Sequence, residues 1–150
     1  MLVLPDPPPS LPESPWVFYE ELRTVVGGLA PARIDEATVE VDFGAGVAVT
    51  LPHRDEPDWT LAAQVGRRAA VVFAGPVTRH FTDADGPGWT SAAVALLATA
   101  LRGELEVEVA YRGDELVRVG DDRVWGPASL AVWRPVRTER LRMDFGARTG

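Results

Sequence analysis

The feature that most constrains this chain is the segment from about Thr90 to Arg102, where up to Leu101 only Thr90, Ser91 and Thr99 interrupt alanine, valine and leucine, and Gly103 ends the run. Such a helix has no polar face to turn toward water, so both of its sides need cover. One side suits a sheet. The other suits a first helix, the proline-rich arm or a second subunit. Its apolar core, Ala92 to Leu101, is far shorter than the roughly 20 residues of a membrane span, so no membrane crossing is expected. A chain of 150 residues can hold one such layered core without disulfides.

Strand patterns surround this helix. Ala37, Val39, Val41 and Phe43 alternate with Thr38, Glu40 and Asp42, the period of a half-buried strand. Gly44-Ala45-Gly46 turns the chain, Val47, Val49 and Leu51 carry a second strand, and His53 to Asp58 forms a polar loop. Further strands are predicted at 59–65, 70–74 and 77–82. Beyond Gly103, Leu105, Val107, Val109 and Tyr111 alternate with Glu104, Glu106 and Glu108, and Arg112-Gly113-Asp114 turns them into Leu116 to Val119. Extended segments are also predicted at 124–125, 131–133 and 140–145.

Six prolines between Pro5 and Pro15 make residues 1–14 an extended, polyproline-like arm. Ser14 as a cap and Pro15 at the first helical position open a helix whose Phe18, Leu22, Val25 and Leu29 form an apolar stripe and which Gly27-Gly28 ends. The expected fold is α+β, with two helices packed on one face of an antiparallel sheet of about seven to nine strands, in one piece or as two similar helix-plus-hairpin halves. A single domain spans 15–150. Halves 15–82 and 89–146 share the order helix, glycine stop, strand, glycine turn, strand and tryptophan, the mark of a pseudo-repeat. The first residues carry neither the basic start nor the long apolar core of a secretory signal, and a cytoplasmic location is expected.

Several chemistries are excluded by missing residue types. The chain has no cysteine, hence no disulfide or thiolate site, and no lysine, hence no P-loop. Its serines, Ser10, Ser14, Ser91 and Ser129, lie in no G-x-S-x-G turn. Of two histidines, His80 precedes Asp83 and Asp85 in a His-x2-Asp-x-Asp spacing at a strand end, the candidate metal set. The same two aspartates also suit a turn and a helix start, where they bind backbone amides. His53 opens the loop carrying Asp55, Glu56 and Asp58 and reads as solvated loop charge. No cofactor is called for.

The formal charge of −7 opposes nucleic acid as a partner and favours a basic or neutral protein. Glu104, Glu106 and Glu108 share one strand face, and Arg134, Arg140 and Arg142 share a parity near the C-terminus. As strand neighbours they would pair; apart, each is a charged surface suited to an interface. Of five tryptophans, Trp16, Trp89 and Trp133 crowd a domain of this size, which offers some of them to a ligand or contact surface.

These features point to a non-enzymatic, acidic protein that binds another protein, with a homodimer as one form. Immunity proteins and secretion chaperones are similar to it in size, charge and class. The alternative is a small-molecule or metal-binding domain. A helix followed by an antiparallel run, twice, resembles the duplicated βαβββ modules of the vicinal oxygen chelate group, a resemblance that implies a metal between modules, with His80 and Glu108 or Asp144 as ligands.

Overall fold

Alternation becomes pairing between neighbours in sequence. The computed structural model describes residues 2–29, 33–127 and 133–147. Within them two helices and two sheets form an α+β fold, divided into one compact unit of residues 1–105 with 143–150 and a second of 106–142.

The first unit contains helix α1 (Glu13–Gly28), strands β1 (Glu40–Phe43), β2 (Val47–Pro52), β3 (Thr60–Val65), β4 (Ala69–Ala74) and β5 (Val77–Thr82), and helix α2 (Trp89–Leu101). The strands form an antiparallel meander in the order β1-β2-β3-β4-β5. Val47, Val49 and Leu51 on β2, Leu61, Ala63 and Val65 on β3, and Ala70, Val72 and Ala74 on β4 are all buried, as one parity of a strand with a covered face must be. α2 packs against β4, β5 and α1. Val94, Leu97, Ala98, Ala100 and Leu101 are buried on it, leaving Ser91, Ala92 and Ala95 as an exposed strip. The two-sided cover that its composition demands is therefore supplied by α1 and the sheet, within one chain.

The arm lies along α1. Leu4 and Leu11 are buried, the Tyr19 hydroxyl donates to the Pro5 carbonyl at 2.7 Å, and Arg23 bridges Asp6 at 2.7 Å and Glu20 at 2.9 Å. Burial pushes the Tyr19 phenol up to about 12, and the bond to Glu20 chiefly holds Arg23 above its ordinary value. α1 begins one residue before the expected cap: Pro12 stands at the N-cap and Ser14 lies inside the helix.

Two boundaries near the first strand and the polar loop differ from expectation. Residues Glu36–Thr38 form a 3-10 turn, closed by the Thr38 amide on the Asp35 carbonyl at 3.0 Å, so β1 starts only at Glu40. His53, expected in solvent, is 5% exposed. The chain's last described stretch explains why: Met143, Phe145 and Ala147 are buried, and the Phe145 ring meets His53 at 4.7 Å between centroids.

The second sheet contains β6 (Leu105–Arg112), β7 (Glu115–Val119), β8 (Asp122–Arg123) and β9 (Val136–Met143), in the order β8-β7-β6-β9. A bulge between Ala110 and Tyr111 shifts the β6/β7 register. The hairpin turn places Gly113 at φ +62°, where a side chain is strained. Two expected strands move: β8 pairs at 122–123 rather than 124–125, and β9 starts at Val136 and ends at Met143. Of the strand expected at 131–133, Ala131 and Val132 lie outside the described residues. β5 and β6 flank α2 in sequence but belong to different sheets, so no βαβββ sheet forms around it.

Candidate functional site

The helices take one face of the five-stranded sheet, and the opposite parity forms the other. Cross-strand partners share a face, so the register defines rows of side chains. One row runs Asp42, Ala48, Gln64, Val71 and His80 from β1 to β5, and the next runs Glu40, Thr50, Ala62, Phe73 and Thr78. Phe73 is 37% exposed on this face, a large apolar side chain half in water. Around it alanine, valine and threonine replace the longer charged residues that usually solvate an open sheet.

At one end the face dips into a groove of about 880 Å³, floored by Ala48, Gln64 and Val71 and rimmed by the turns at 44–46 and 66–68. The rim depends on a close approach of backbones. A Cβ at Gly46 would stand 2.1 Å from the Val65 carbonyl oxygen, so only glycine fits there. Asp42 and His80 bound the groove from opposite edges. Four strand spacings of roughly 4.8 Å separate them, about 19 Å, too far to share a proton or a metal ion.

The candidate metal set does not converge around His80. The Asp85 carboxylate accepts the Thr82 amide at 2.8 Å in a capping box, and Asp83 pairs with Arg68 at 3.3 Å. His80 itself is exposed on β5. Among the described residues no three histidine, aspartate or glutamate side chains are grouped to hold a metal.

His53 is committed to the fold. Its Nδ1 accepts the amides of Asp55 and Glu56, each at 3.0 Å, which places the ring hydrogen on Nε2, where it donates to the Asp144 carbonyl at 3.0 Å. Trp59 packs edge-on against the ring at 5.6 Å. The reading of this loop as solvated charge fails for the histidine, because two backbone amides and two aromatic rings claim it.

Of the two charge stripes, Glu104, Glu108 and Arg134 have partners outside the stripes. β6 and β9 are neighbours, yet Glu104 bridges Arg102 at 3.4 Å and Glu108 bridges Arg118 at 2.9 Å. Glu106 and Arg140 are exposed, Arg142 is an exposed residue of β9, and Arg134 lies over the Trp133 ring at 5.1 Å. Among the tryptophans, Trp89 is buried, whereas Trp125 and Trp133 are 72% and 76% exposed. The open apolar face of β2 to β4 was legible only as the second parity of strands already recognised, with Phe73 as its one bulky signal.

Comparison of the chain with protein-family models, with curated proteins and with solved structures finds no match.

Proposed function

We propose that this chain is a non-enzymatic binding protein that docks another protein on the open face of its five-stranded sheet. The observation that carries the reading is the half-exposed Phe73 in a field of alanine, valine and threonine, on the face opposite both helices. Contiguous rather than scattered apolar surface marks an interaction site, and here Phe73 is continuous on one face with Val71, Ala62 and Thr78. Glu40 and Asp42 set an acidic margin along the β1 side, which suits a basic or neutral partner. A cytoplasmic setting accords with a chain that has no cysteine.

Two polar side chains of the first unit, His53 and Ser91, are engaged within the fold. His53 is spent on backbone groups, and the Ser91 hydroxyl donates to Glu21 at 2.7 Å on the helical side of the unit. The test is affinity capture with the wild type and Phe73→Asp, with circular dichroism showing that the variant keeps its fold. One partner retained in stoichiometric amount by the wild type and lost by the variant is the expected result. Equal retention by both proteins would refute the site. Light scattering adds the case of a second copy: a dimer that Phe73→Asp dissociates makes the partner this chain itself.

A further inference from the structure

The second unit contains a pocket whose charge is opposite to that of the chain. A cavity of about 430 Å³ is lined by Arg112, Arg118 and Arg123, by Trp125, and by apolar side chains that include Ala110 and Val136. Among the described residues none that lines it is acidic, although acids outnumber bases 22 to 15 in the whole chain. Arginine supplies planar donors that match the two oxygens of a carboxylate or phosphate.

The register sharpens the point. Arg118 and Arg123 are direct cross-strand partners on β7 and β8, and the residue opposite Arg118 on β6 is Ala110. Like charges in that relation repel and destabilise a sheet. Glu108 relieves part of the repulsion through Arg118 at 2.9 Å, and a guanidinium still has donors left after one such bond. Arg123 makes no ion pair among the described residues. The indole of Trp125, 72% exposed, stands beside these cations as a flat apolar wall.

We propose that this pocket is a binding site for a small organic anion, a carboxylate or phosphate group carried on a flat apolar body. The oxyanion lies between Arg118 and Arg123, where it replaces their mutual repulsion with charge-assisted hydrogen bonds. The apolar body stacks on Trp125. The volume falls in the usual range of small-ligand sites, roughly 300–1,000 Å³. The site is independent of the sheet face proposed for a protein partner, and either can fail without the other.

The experiment uses the full chain with benzoate and phenyl phosphate as probes, benzylammonium as a cation of the same shape, and inorganic phosphate as an oxyanion without a body. Both aromatic anions are expected to change the tryptophan fluorescence saturably and to raise Tm, and the tighter of the two identifies the oxyanion preferred. Benzylammonium is expected to leave both unchanged, and inorganic phosphate to bind at least roughly tenfold more weakly for lack of stacking. Arg123→Gln is expected to weaken the aromatic anions by roughly tenfold or more while raising Tm of the unliganded protein slightly. A purely structural arginine would do the reverse, lowering Tm and leaving no anion affinity to lose. Absence of saturable binding by both aromatic anions, equal binding of benzylammonium, or full affinity in Arg123→Gln would overturn the proposal.

Discussion

Replacing His53 with alanine is expected to be among the most damaging single changes in the chain, although the residue sits in a charged loop. The substitution removes the acceptor of the Asp55 and Glu56 amides and the donor to the Asp144 carbonyl, each at 3.0 Å. A buried polar group left without its partner costs about 1–3 kcal/mol, and these loop amides can recruit some water, so about 1 kcal/mol each is the reasonable share. Loss of the ring contacts to Trp59 and Phe145 adds about 0.5–1.5 kcal/mol for each pair at most. With about 1 kcal/mol for each of the three orphaned polar groups and about 1–3 kcal/mol for the two ring contacts together, the total is about 4–6 kcal/mol, which at this chain length corresponds to a fall in Tm on the order of 10–20 °C. Urea unfolding followed by tryptophan fluorescence measures it directly, with His53→Phe as the companion that keeps the ring and loses only the polar bonds. His53→Phe should therefore fall between wild type and His53→Ala. A His53→Ala stability within about 0.5 kcal/mol of wild type, the scatter of ordinary surface changes, would refute the assignment.

Two further outcomes are expected. Gly46→Ala places a Cβ 2.1 Å from the Val65 carbonyl oxygen and must push β2 from β3, so denaturant unfolding should show a loss of about 1–3 kcal/mol, whereas Gly27→Ala, with nothing within 4 Å of its Cβ, should show none from crowding. The Tyr19 phenol, held neutral by burial and pushed up to about 12, binds its proton more tightly in the folded chain than in the unfolded one. Its contribution is complete below the ordinary tyrosine value near 10 and is lost as pH rises from there through about 12, by about 1–2 kcal/mol after solvent screening at the arm. Stability of Tyr19→Phe against pH should lack that alkaline decline; an unchanged decline would assign it elsewhere.

Where one face of a strand is buried, the sequence pattern located it well. Val47 to Leu51 and Ala70 to Ala74 alternate because the helices cover one parity, and the largely apolar α2 announced its two layers of cover. The pattern failed where burial is not periodic. Residues 136–140 of β9 are all exposed, so no apolar parity marked the strand's beginning. Ala37 and Val39 mimic a strand, but local hydrogen bonding around Asp35 makes the tighter turn. His53 could not be read as buried because Phe145, the ring that meets it, lies 92 positions away in sequence. The arginine pocket was equally illegible. Its three cations come from three strands, and the bulge at Ala110/Tyr111 breaks the parity that would have joined them.

The route of the chain also imposes an order on its completion during synthesis. The first unit is interrupted by residues 106–142 and is finished by the segment from Met143 onward. That segment delivers the Asp144 carbonyl to His53, the Phe145 ring beside it, and the Ala147 amide to the Leu101 carbonyl at 3.3 Å. A ribosome-bound chain can therefore form its meander and both helices early, since every strand of the meander pairs with its neighbour in sequence. It cannot make these three contacts until residue 147 has left the exit tunnel, so the last turn of α2 and the His53 loop are the last parts of the unit to be completed.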